Sequence, residues 1–129
     1  MLTFASIDPQ KGKVGAREAL RLIEHDGVNG CKFYPTVQGF LPYDRMACPL
    51  YERVAENKLS AVCHSGHSGI GSGMCCGGGL RLQNSDPMLL QDLAIDFPDI
   101  QIVITRPSWP WQDEVLILKE NAKRRLDFA

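Results

Sequence analysis

The order of hydrophobic patterns constrains this chain more than any single motif. Short apolar runs alternate with amphipathic stretches along its whole length. "LTFASI" (2–7) reads as a buried strand that Asp8 and Pro9 stop. Residues 13–26 read as a helix, because Ala16, Leu20 and Ile23 recur at helical spacing and Gly27 offers a C-terminal cap. "NGCKFYP" (29–35) is the second strand, and "TVQGFLPYD" after it is a loop. Residues 47–57 form a second helix, with Pro49 near its first turn and Leu50 and Val54 on one face. "LSAVCH" (59–64) is a third strand, leading into a glycine-rich loop. Residues 85–97 are a third helix, with Asp86 as N-cap and Pro87 at the first helical position. "IQIVIT" (100–105) is a fourth strand, and a last helix covers about 112–125. Apolar strands alternating with amphipathic helices mean an α/β fold. About four parallel strands are covered by about four helices.

At 129 residues the chain is one domain with one core. A formal net charge of -1 steers it to neither nucleic acid nor an anionic membrane. The one basic run, Lys123, Arg124 and Arg125, reads as a solvated helix end. No apolar run approaches the ~20 residues of a membrane span, and "MLTFASIDPQ" has no signal-peptide pattern. Five cysteines, two of them adjacent, do not suit a secreted disulfide framework. They point to a reducing cytoplasm.

Ionisable groups gather where the strands end. Asp8 follows the first strand, Lys32 and Tyr34 share a face of the second, His64 ends the third and Arg106 follows the fourth. Parallel β/α proteins place ligands and chemistry at the carboxyl ends of their strands. "SAVCHSGHSGIGSGMCCGGG" (60–79) invites two further readings. Cys75 and Cys76 could join His64 and His67 in a thiolate zinc site, although such sites normally space their cysteines by two to four residues. The glycines could cradle phosphate, but no Gly-Lys-Ser/Thr follows. A mobile loop over the strand ends fits them better. His25 sits at a helix end, where a dipole contact suffices.

"GCKFYPTVQGFLPYD", "CHSGHSGIGSGM", "NSDPMLLQDLAIDFPDIQIVIT" and "RPSWPWQDE" together resemble the amidohydrolase-related family over about residues 4–114. These are metal-dependent (β/α)8 hydrolases and decarboxylases, aminocarboxymuconate semialdehyde decarboxylase among them. The resemblance implies that the four strands are the third to sixth of a TIM barrel, half of the whole. It implies a divalent cofactor, zinc or manganese, with His64 in "CHSG" as a metal ligand at the end of the fifth strand. The family's acid/base histidine before "PSWPW" is replaced here by Arg106. Lys32 and Trp109 are candidates for lining the substrate pocket, and Trp109 could equally pack the last helix onto the barrel.

A catalytic zinc needs about three protein ligands and a water. The family's histidine pair on the first strand and aspartate on the eighth have no counterpart here. Arg106 stays protonated, so it cannot act as a general base, and it repels a divalent cation. Its planar fork suits a carboxylate, which predicts anionic aromatic or dicarboxylate ligands. The expected function is therefore hydrolysis or non-oxidative decarboxylation of a small carboxylated or aromatic molecule, impaired in this chain. The other reading is a non-catalytic binding or assembly module that keeps the fold. Four parallel strands leave two open edges. Three arrangements answer that: a piece of a longer product, two copies closing one barrel, or an open α/β sandwich.

Overall fold

The computed structural model describes residues 1–106 and 109–127, with side chains as far as Lys119. The basic run at Lys123, Arg124 and Arg125 lies outside the described side chains. Three strands, β1 (Gly30–Phe33), β2 (Ser60–Cys63) and β3 (Gln101–Ile104), form one parallel sheet in that order. Their register aligns Gly30 with Ser60 and Gln101, and Phe33 with Cys63 and Ile104. The helices are α1 (Gly12–Asp26), α2 (Pro35–Gln38), α3 (Cys48–Glu56), α4 (Leu90–Asp96) and α5 (Gln112–Asp127).

Local chemistry sets the element ends. Asp8 accepts a hydrogen bond from the Gln10 amide and so caps a short 3-10 turn into α1. Gly27 closes α1 in a left-handed conformation, its N–H donating to the Leu22 carbonyl. Asp86 caps the turn at Pro87–Leu89 through the Met88 amide, and the α-helical part of the third predicted helix begins only at Leu90.

Two expectations change in detail. The first expected strand, 2–7, makes only an isolated parallel bridge from Ala5 to Cys31. Its hydrogen bonds run Asn29 to Thr3, Ala5 to Gly30 and Lys32 to Ala5. It is an edge segment with Leu2 and Phe4 exposed, so only one side of its backbone is paired. The loop after β1 also contains a helical turn. Pro35 starts α2, and Gly39 caps it in the left-handed region.

Residues alternate across the sheet. Ala5, Cys31, Phe33, Ala61 and Cys63 face the helices and are buried with Leu50, Tyr51 and Val54 of α3 and Ala19 of α1. Lys32, Val62 and Val103 take the other face. Val103 is 39% exposed there. Burial raises the thiols of Cys31, to about 11, and Cys63, to about 12, so both stay protonated as small core side chains.

Candidate functional site

The ladder continues one residue past each strand end. The His64 amide donates to the Phe33 carbonyl at 2.9 Å, and the Thr105 amide donates to the Cys63 carbonyl at 3.2 Å. That register brings Tyr34, His64 and Thr105 into one row on the face away from the helices, just beyond Lys32, Val62 and Val103.

His64 is the centre of this row. It is 6% exposed, and the Tyr34 ring lies against the imidazole with centroids 3.9 Å apart. Its Nε2 is buried and has no hydrogen-bond partner. A buried polar nitrogen left unpaired costs about 1–3 kcal/mol, so it marks a position that a ligand would satisfy. The Lys32 ammonium donates to Thr105 Oγ1 at 3.3 Å, reaching across β2 to do so. Burial holds His64 below its ordinary imidazole value, and the charges of Lys32 and Arg106 add to that. Backbone hydrogen bonding at Gly66 and His67 works in the opposite direction. Lys32 is likewise lowered, first by burial, with the Arg106 charge adding. The site is thus a neutral imidazole beside two cations.

The loop after His64 is pinned by side chains that carry no chemistry of their own. Ser85 Oγ donates to the carbonyls of Gly66, at 2.8 Å, and Leu82, at 2.7 Å. The Gly66 amide and Ser65 Oγ donate back to the Ser85 carbonyl. Ser68 Oγ lies 2.6 Å from the Tyr34 hydroxyl and fixes the ring that covers His64. Sequence reasoning passed over Ser68, Ser85 and Thr105. Only the period-two pairing of Lys32 with Tyr34 signalled this shell.

The remaining candidates are placed as follows. Arg106 is exposed, and its charge reaches both Lys32 and His64. Trp109 is 61% exposed. Its carbonyl accepts from the His67 amide at 2.7 Å, and its ring meets the His67 ring edge-on at 5.6 Å. His67 therefore ties the glycine-rich loop to the segment before α5. Among the described residues, no group of three His, Cys, Asp or Glu side chains converges to hold a metal. Thr36, His67, Ser68 and Ile70 help line a cavity of about 170 Å³ under the loop. It is smaller than the ~300 Å³ of ordinary ligand pockets.

The lowered His64 value gives a stability prediction. The unfolded chain binds a proton near pH 6.5, and the folded chain only at lower pH. Stability is therefore full above about pH 7 and falls as pH drops through about 6.5. Melting temperatures between about pH 5 and 8 should show this fall, and His64→Gln should flatten it.

A family model described as amidohydrolase matches residues 1–128. Among solved structures, the chain is similar to an uncharacterised TIM-barrel protein of Bordetella bronchiseptica. The TM-score is 0.75 at 20% identity, covering 95% of this chain and 41% of that one. At that identity the likeness shows the fold alone: the sheet and its helices correspond to part of a TIM barrel. The chain spans less than half the length of the barrel it matches. No curated protein matches it.

Proposed function

The chain belongs to the amidohydrolase family, and from that premise we propose that it serves hydrolysis or non-oxidative decarboxylation of a small carboxylated, often aromatic, molecule. The observation that carries this reading is the buried, unpartnered Nε2 of His64 beside the charges of Lys32 and Arg106. Two cations at the strand ends complement an anion, and the arginine fork suits a carboxylate. A carboxylate bound there offsets the charges that add to burial in keeping His64 neutral. The imidazole then takes up a proton more readily once substrate is in place, as an acid/base group should.

Amidohydrolases are generally metal-dependent, and zinc or manganese is the ion that the resemblance implies. The residues present do not fit such a centre by themselves. His64 offers one donor nitrogen, and no group of three donors converges among the described residues. The charges acting on His64 are positive, which opposes a divalent cation. This donor set also favours a second reading, a carboxylate-binding module without catalysis. Turnover of carboxylated substrates by the purified chain would separate the two.

Calorimetric titration with benzoate tests the shared claim. The chain should bind it, and Arg106→Ala should weaken binding roughly 10–100-fold, as loss of a charged hydrogen bond does. Lys32→Ala should weaken it too, because it removes the second cation acting on His64. No binding, or an unchanged affinity in Arg106→Ala, would sink the proposal.

A reducing, cytoplasmic setting is proposed with it, since all five cysteines are free thiols. No described helix is long and apolar enough to cross a membrane.

Self-association is the proposed partner interaction. Among the described residues the sheet ends on β3, Val103 is exposed on its open face, and Leu116 and Ile117 of α5 are 59% and 53% exposed. At the opposite edge Leu2 and Phe4 are exposed. Two copies of a segment covering 41% of a barrel approach one barrel in length. Parallel pairing of β3 with residues 2–7 of a second copy would cover both edges. Light scattering should give a dimer that Val103→Lys dissociates, and a clean folded monomer would overturn it.

A further inference from the structure

Cys75 and Cys76 have no part in the chemistry above, yet both thiols are exposed. Both are exposed free thiols, with Sγ atoms 3.6 Å apart. The backbone around them is built to hold that approach. Successive turns run from Ser72 to Gly69, Met74 to Gly71, Gly77 to Met74 and Leu80 to Gly77. A side chain at Gly71 would meet the Gly77 carbonyl, so only glycine lets the loop close on itself. Cys76 itself sits at φ +52°, a left-handed conformation that costs a non-glycine residue free energy.

We propose that this pair is a dithiol site for a trivalent thiophilic centre, of the class of monosubstituted arsenicals. The alternative for adjacent thiols is oxidation to a disulfide, and the geometry disfavours it. The peptide bond between them is trans, because the cis bond among the described residues is at Trp109 and Pro110. Adjacent Cα atoms across a trans bond are about 3.8 Å apart. Disulfides usually need about 4.4–6.8 Å, so the ring would be strained. A larger soft atom inserted between the two sulfurs bridges them without that closure, and soft thiolates select soft centres.

The reaction needs no oxidant. An arsonous acid, R–As(OH)2, exchanges its two hydroxyls for the two thiols. Two As–O bonds break, two As–S bonds form, and each thiol proton leaves with a hydroxyl as water. Arsenic stays trivalent throughout. Cys31 and Cys63 do not compete, since they are buried, protonated core groups, and Cys48, half-buried and apart from other thiols in the sequence, offers only a one-point attachment.

Phenylarsine oxide is the probe, with intact mass as the readout in excess monothiol. The wild-type chain should retain one phenylarsenic group against the monothiol and lose it to 1,2-ethanedithiol. Cys75→Ser or Cys76→Ser turns a two-point attachment into a one-point one, weakening retention about 10²–10⁴-fold. Both side chains are exposed, so these variants should match wild type by circular dichroism. Cys48→Ser should retain the adduct. Absence of a monothiol-resistant adduct in the wild type, or its survival in both serine variants, would overturn the proposal.

Discussion

Phe33→Ala should remove a large share of the chain's folding stability. Phe33 is 0% exposed and stands at the centre of the aromatic group on the helix side of the sheet. Its ring lies 5.1 Å from Tyr51 and 6.3 Å from Phe40, and Tyr51 in turn lies 5.6 Å from Phe97. Truncation removes the ring's burial and leaves a cavity that two other aromatic rings frame. Such a change costs about 3–5 kcal/mol. Small domains hold only about 5–15 kcal/mol in total. The urea midpoint should fall by at least about a fifth, and the melting temperature by roughly 10–25 °C. The effect reaches the site, because the Phe33 carbonyl accepts the His64 amide that sets the imidazole's position. An unfolding free energy within about 1 kcal/mol of wild type would mean that the aromatic group is not the core.

Gly30→Ala should be nearly as damaging for a different reason. Gly30 begins β1 and is aligned with Ser60 of β2. An added Cβ would run into the Ser60 carbonyl oxygen and stand 3.1 Å from the Phe4 ring. The ring can turn away, but the carbonyl belongs to the backbone of the neighbouring strand and moves only with it. Overpacking typically costs about 1–3 kcal/mol, and a backbone obstacle puts this case at the upper end or beyond. Circular dichroism with urea denaturation should show a loss of about 3 kcal/mol, and a change under about 1 kcal/mol would contradict the close approach. Glycine in a strand here marks adjoining backbones rather than a bend.

These two residues show what the sequence makes legible. α1 and α3 fall almost where periodicity and their flanking glycine and proline place them, since caps are encoded within a few residues. The interior strands are readable because each is a short apolar run between turn residues. The edge segment near Ala5 is not, because apolar content cannot tell a strand with two neighbours from one with a single bridge. α2 is missed because one turn is too short to show a period, although Pro35 and Gly39 bracket it. In the site, Lys32 and His64 stand out as polar groups at strand ends. Tyr34 against His64, Ser68 on Tyr34 and Ser85 on Gly66 are contacts across 19 to 34 residues. No local pattern encodes a loop's return path, so they were out of reach.

The functional reading turns on the state of one imidazole. NMR titration of His64, free and with saturating benzoate, measures it directly. In the free chain His64 should titrate below 6.5, because burial and the charges of Lys32 and Arg106 oppose its protonation. Benzoate should raise that value by offsetting the charges, and Arg106→Ala should remove most of the rise. A free His64 that titrates at or above its ordinary value, or one that benzoate leaves unmoved, contradicts the carboxylate site.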